Sequence, residues 1–499
     1  MAYLLEEDFK DRIVWRRFKL FFGGVMSSEE FLNWVHLVNE WVWGLPLIIL
    51  LLGTGLVLTV RLVGVQFRYL LYGLKLAFLT RDDKSKGDVS HFEALMVALA
   101  GTLGIGNIVG VATAVATGGL GAIFWMWVTA IIGMSTKYAE AILAIRYRIT
   151  DEKGEISGGP MYYLQNGLNM KPLAVLFSLF GAIAALGIGN TVQAHSVADA
   201  VKGLWGIDPW RTGTLLTFLT GFVVMGGIHS IGRVSAFMVP LMASLYILMG
   251  LTVILMNIAK LPDAFYTILS SAFNGQAAKG GFVGSGFLLA MRMGIARGFF
   301  SNEAGLGSAP IVAAAARTKH AGSQACVSMI ATFCDTLVVC TITGLVIAVS
   351  GVLGDLDSEG NVLNGASMTM AAFERSIPGG GFMVTMAIIF FAYSTIIGWA
   401  YYGEKCIHYL FGFESTVVYR VLFTFLVLPG AALSLKVVWG IADITNGLMA
   451  LPNLIGLIFL SGVVLKETKS FEAFVARGEI TEEELKEQDK AAKEKEAKE

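Results

Sequence analysis

The residues of this chain best suited to chemistry lie inside runs that are otherwise oily. "AGTLGIGNIVGVATA" (100–114) crowds Gly101, Gly104, Gly106 and Gly110 around Asn107, and "FFAYSTIIGWAYYGEK" (390–405) carries Ser394 and Thr395 one turn before Trp399. Glycine is the poorest helix former after proline, and an amide in hydrocarbon is expensive unless satisfied. The first stretch therefore reads as a helix that opens at its own midpoint. Backbone groups freed at membrane depth must find partners. N–H groups at the positive end of a half-helix suit a carboxylate, and freed carbonyls suit a sodium ion. The Ser394 and Thr395 hydroxyls are oxygen donors of the kind hard cations prefer; the competing role for such hydroxyls is a bond to their own backbone. Trp399 projects from the same face as Thr395, where its ring would wall a small pocket.

A second stretch repeats the pattern. "MRMGIARGFFSNEAGLGSAP" (291–310) holds Gly294, Gly298, Gly305 and Gly307 with Arg292, Arg297, Asn302 and Glu303. Glycines three or four apart also let helices pack closely, the commoner role for any single glycine-rich pass. Matching disruptions in two places shift the balance toward a binding site. Charges inside a bilayer are costly and usually functional, so Arg297, Glu303 and Asp335 (in "ATFCDTLVVCT") form either a gate or ion relay, or a brace between two spans. In "LGIGNTVQAHS" (186–196), Asn190 and Gln193 are three apart and share a helical face. They reach into a central cavity or make interhelical hydrogen bonds, while His195 reads as structural.

The elements that must position these residues follow from composition. Of 499 residues, 55% are hydrophobic and 15% charged, and the mean hydropathy is +0.67; a soluble chain would carry roughly a quarter charged residues. Apolar runs of membrane length recur at 43–62, 91–117, 120–147, 173–202, 211–229, 232–259, 284–315, 321–353, 379–408, 411–434 and 438–465. The fold class is thus an all-α polytopic membrane protein of about eleven spans. Each glycine-interrupted helix opens a set of five spans, 91–261 and 284–465. Two halves of odd count, each led by a weakened helix, make the pattern of an inverted repeat. The remaining segments are an amphipathic 1–40, an extra span with its loop (41–90), a connection (262–283) and a charged tail (466–499). Lys and Arg placement puts the 61–86 loop and the tail in the cytoplasm of a multi-pass cell-membrane protein. Eleven spans then leave the N-terminus outside, despite the basic "FKDRIVWRRFKLFF" at 9–22, an amphipathic membrane-surface helix or a frayed tail.

Several classes are excluded. No Walker-type loop, HExxH or nucleophile elbow occurs, so ATP-driven transport and intramembrane proteolysis lack motif support. No organic cofactor, nucleic acid or protein partner is implied. The four cysteines lack metal or disulfide spacing and read as buried small hydrophobes.

Five blocks carry a family resemblance: "GGLGAIFWMWVTAIIG" (118–133), "GNIVGVATA", "GGPMYYLQNG", "RGFFSNEAGLGSAP" and "STIIGWAYYGEK". In sequence and order they resemble the sodium:alanine symporter family, over about 45–465. The resemblance implies a leucine-transporter-like fold of two inverted fives, here with one extra N-terminal helix. It implies Na⁺-driven uptake of a small zwitterionic amino acid, alanine or glycine, with H⁺ as coupling ion in some members. On the matching positions, Ile105 and Gly106 would offer amides to the substrate carboxylate beside Gly104, with Asn107 bracing the break. Carbonyls of Ala100 and Leu103 would hold sodium with Ala392, Ser394 and Thr395. Gly294 to Gly298 would line the pocket, which Trp399 and Gln193 would bound, Trp399 limiting side-chain size. The rivals are a proton-coupled transporter of the same fold, using Glu303 or Asp335, and a channel or nutrient sensor.

Overall fold

The structure, a computed structural model, describes residues 28–79, 85–151, 153–274, 286–357, 360–433 and 436–478. The basic segment at 9–22 lies outside them. Ser28–Val42 and Leu45–Arg61 form the extra N-terminal unit, joined at Gly44 with Pro46 in the first turn of the second helix, a position where its missing amide proton is no loss. Among the described residues, eight helices are long and apolar enough to cross a membrane, nine if one bent pair is a single span. Each expected span overlaps helix among the described residues, that at 284–315 being interrupted at 303–308. Pro209–Val224 and Gly286–Asn302, however, have only 16 and 17 residues, so the count of eleven is not confirmed. Large apolar side chains such as Phe218, Phe222, Phe237 and Leu245 point outward, forming the surface a membrane covers.

The first disrupted helix starts at a capping box, Ser90 with Glu93, which satisfies two of the amides a helix start leaves open. It runs His91–Thr102, breaks through a short turn at Ile105–Asn107, and resumes as Val109–Gly118 with a bend of 63°. The second runs Gly286–Asn302 and resumes only as Ala309–Ala314. Between these halves Glu303, Gly305 and Gly307 hold φ of +54°, +85° and +87°. A left-handed backbone is natural for glycine, but for the glutamate it costs roughly 1–2 kcal/mol. Two long helices carry wide π-turns, at Gly187–Thr191 and Phe333–Cys340, a feature that concentrates at functional sites.

On one face the segment before the first disrupted helix is stitched to the segment after the second. Val89 bridges Ala316. The Asp88 amide donates to the Ala315 carbonyl at 2.8 Å and that of Arg317 to Val89 at 2.7 Å. Gly87 permits the approach, since a Cβ there would lie 2.4 Å from the Arg317 nitrogen. Arg148 clamps the seam by donating to the Ala314 and Ala316 carbonyls at 2.9 Å each and to Lys86 at 3.0 Å. An antiparallel pair, Ile149–Thr150 with Ile156–Ser157, follows. Lys405, buried, reaches Ser157 Oγ at 3.2 Å and Glu155 at 3.4 Å.

The charged tail after 465, whose composition suits a solvated helix or disorder, begins within the helix Ser461–Ala476, which docks on the body. Phe471 is fully buried against Gly322, and Glu472 and Glu467 meet Arg68 and Arg146 at 2.6 and 3.4 Å. Exposed ion pairs contribute little; the buried ring holds the helix.

Candidate functional site

Asn107 organises the first break. Its Oδ1 accepts from the Gly104 amide at 3.0 Å, and the same amide reaches the Thr102 carbonyl at 2.9 Å. In an unbroken helix that amide would serve Ala100, so the Ala100 carbonyl is released. No acceptor among the described residues takes the amides of Ile105 and Gly106, the first two residues of the turn.

Helix Gly380–Phe411 brings two hydroxyls to this turn. Ser394 and Thr395 donate to the Leu103 carbonyl at 3.4 and 3.5 Å while also bonding Phe391 O of their own helix at 2.9 and 3.0 Å. The own-backbone bond weighed from sequence is thus present, and both hydroxyls also face the turn. Gly398 allows this closeness, because a Cβ there would lie 2.7 Å from the Gly101 nitrogen and 3.2 Å from the Ala100 carbonyl carbon. Ala392 is fully buried two residues before Ser394. The oxygens gathered at this turn are carbonyls and hydroxyls, all neutral, and among the described residues no group of three or more His, Cys, Asp or Glu could hold a metal ion. Such a set suits a hard cation and not a thiolate- or imidazole-seeking metal.

A central cavity of about 20 Å³ lies beside the break, bordered by Gly104, Gly106, Gln193, Thr395, Trp399 and Glu303, with Phe300 and Asn446. That is room for about one water, so side chains must withdraw before an amino acid enters. Trp399 fills the hollow of Gly189 and donates from Nε1 to Glu303 Oε1 at 3.0 Å. Glu303 also accepts from Ser308 Oγ.

Three sequence expectations are corrected. Gly294 and Gly298 do not border this cavity. A Cβ on them would lie 2.3 Å from the Ala122 carbonyl and 2.2 Å from Thr129 Oγ1, so they serve close packing on helix Gly121–Arg146. Asn190 turns away, donating to the Phe423 carbonyl at 2.7 Å, whereas Gln193 does border the cavity. Arg297 does not neutralise Glu303 and Asp335. It lies over the Phe300 ring and borders a second cavity of about 200 Å³ with Glu40 and Asp443. Asn39 donates to Asp443 there at 2.6 Å. Phe300 borders both cavities.

Asp335 links the two breaks. It accepts from Asn107 Nδ2 at 2.7 Å, Ser301 Oγ at 3.0 Å and Thr336 Oγ1 at 2.7 Å. The cation within electrostatic reach of Glu303 and Asp335 is Lys137, fully buried and without a hydrogen-bond partner among the described residues. One turn on, Glu140 accepts from the Gly305 amide at 3.1 Å and from Asn453 at 2.6 Å, fixing the second break. Sequence reading missed both. The signal was present, two ionisable residues three apart inside an apolar run.

A family model described as the sodium:alanine symporter family matches residues 28–486. The sodium/alanine symporter AgcS of Methanococcus maripaludis is 55% identical over 450 residues, 89% of this chain and 97% of that protein. Two solved structures share the fold at low identity. MhsT in complex with L-phenylalanine matches at 14% identity and a TM-score of 0.52, covering 77% of this chain and 98% of that one. A Na⁺-coupled sialic acid symporter matches at 15% and 0.51, covering 81% and 86%.

Proposed function

From the premise that this chain belongs to the sodium:alanine symporter family, and is thus a sodium-coupled amino-acid symporter and not an enzyme, we propose that it imports alanine, glycine or both. In this reading the amides of Ile105 and Gly106 receive the substrate carboxylate. The carbonyls of Ala100, Leu103 and Ala392 and the hydroxyls of Ser394 and Thr395 hold one sodium ion. Trp399 and Gln193 bound the pocket, and Trp399 keeps the side-chain end small. Asn107 holds the break open and Gly104 gives the ligand access. Lys and Arg placement sets the stitched face in the cytoplasm, and the two sides are exposed in turn about this site.

One observation carries the reading: a single 63° break leaves the amides of Ile105 and Gly106 without acceptors among the described residues and turns the Leu103 carbonyl toward two hydroxyls of another helix, beside a small cavity that Gly104, Gly106 and Thr395 border. An anion and a cation bound there neutralise each other, which lowers the cost of placing either in a low-dielectric interior. The test is labelled-alanine and labelled-glycine uptake in proteoliposomes with and without an inward sodium gradient. Accumulation that follows the sodium gradient supports the proposal. Accumulation that ignores sodium but follows a pH gradient replaces it with proton coupling, and absence of alanine and glycine flux ends it.

A further inference from the structure

A zwitterion has two ends, and free backbone amides serve only one. An ammonium group donates three hydrogen bonds and accepts none, so its end of the cavity must present acceptors. Glu303 is the one ionisable side chain among the described residues bordering the central cavity. Its backbone is held in the left-handed region, φ +54°, and strain of this kind persists where the surroundings over-determine it, commonly at ligand sites. Trp399 and Ser308 each occupy one position on its two carboxylate oxygens, and each oxygen has a second lone pair. Two further acceptors border the same cavity. Gln193 Oε1 and Asn446 Oδ1 are buried and have no hydrogen-bond partner among the described residues. Their residues are only 4% and 2% exposed, so no bulk water compensates them, and an orphaned buried acceptor is costly unless something arrives to use it. Three acceptors thus border one cavity, and an ammonium has three protons to give.

We propose that Glu303, Gln193 and Asn446 form the cradle for the substrate's ammonium group, with Glu303 supplying its counter-charge. The proposal rests on the amino-acid transport reading above and extends it to the opposite end of the ligand. It also ties two selections together. The Trp399 ring that walls the side-chain end is fixed by the carboxylate that faces the charge, so a ligand engaging Glu303 bears on the wall that sizes it. Molecules with a carboxylate but no ammonium, such as 2-hydroxy acids, are then rejected although they fit.

The experiment crosses charge on the ligand with charge on the protein. Half-inhibitory concentrations of alanine and of lactate are measured against labelled-alanine uptake by wild type and Glu303→Gln. The wild type favours alanine strongly, and Glu303→Gln lowers the alanine-over-lactate ratio by about tenfold or more, the worth of a charge-assisted hydrogen bond. A protein damaged in general loses both ligands alike and keeps the ratio. A retained ratio overturns the proposal. Should Glu303→Gln fail to fold, Asn446→Ala is read the same way, with an expected fall of roughly fivefold, and an unchanged ratio again overturns it. A wild type that moves no amino acid ends the transport reading itself; a wild type that transports alanine beside a Glu303→Gln variant with undiminished discrimination ends this inference alone.

Discussion

Thr395 touches both partners of the candidate site. Its hydroxyl reaches the Leu103 carbonyl, and a Cβ on Gly104 would lie only 2.6 Å from it. Thr395→Ala removes one oxygen from the proposed sodium set and should raise the sodium concentration for half-maximal uptake roughly fivefold, the worth of about 1 kcal/mol. Uptake titrated with sodium at fixed alanine checks this, and an unchanged curve removes Thr395 from the ion site. Trp399→Ala should let larger neutral side chains compete with alanine, at a stability cost of about 3–5 kcal/mol for emptying the ring's volume. Competition by valine and leucine reads it, and unchanged selectivity would mean the ring is not the wall. The hydroxyls, the indole and Glu303 were legible because a turn's spacing and an intramembrane charge are visible in a linear string. Asn190 was not, because the π-turn at Gly187–Thr191 shifts the register on which the three-residue spacing argument depends.

At the scale of elements, the two disruptions were legible as glycine clusters, while the work of each glycine was not. A glycine that opens a backbone and one that admits a neighbouring helix look identical in sequence. In the second disrupted helix Gly294 and Gly298 admit Gly121–Arg146, and the break comes later, led by a glutamate in a conformation glycine would favour. Gly298→Val is therefore expected to destabilise by roughly 1–3 kcal/mol through overpacking, with the alanine half-saturation of the surviving protein unchanged. Thermal unfolding in detergent beside uptake kinetics separates the cases. A shifted half-saturation with an unmoved unfolding midpoint would return Gly298 to the pocket. The count of eleven spans stays unconfirmed at two places, Pro209–Val224 and Gly286–Asn302, where the helices are short for a membrane crossing.

For the whole molecule the decisive feature is the seam between 86–89 and 314–317. Arg148→Ala strips three carbonyls of their shared donor. It should move the population toward a state open on that face, by about tenfold if the clamp is worth near 1.4 kcal/mol. In a cysteine-free background carrying Thr102→Cys, which borders the central cavity, thiol labelling from the seam side should rise accordingly; unaltered labelling rate would free Arg148 of this duty. No sequence pattern announced the seam, because backbone edges pair without regard to side chains. Its placement also bears on fidelity. Thread the rungs of one kinked rod to those of its mirror twin, and neither can yield by itself; a door on that face parts as a unit or stays shut. In the transport reading slippage, the passage of an ion without its passenger, needs a half-open door, and two paired backbone edges work against one.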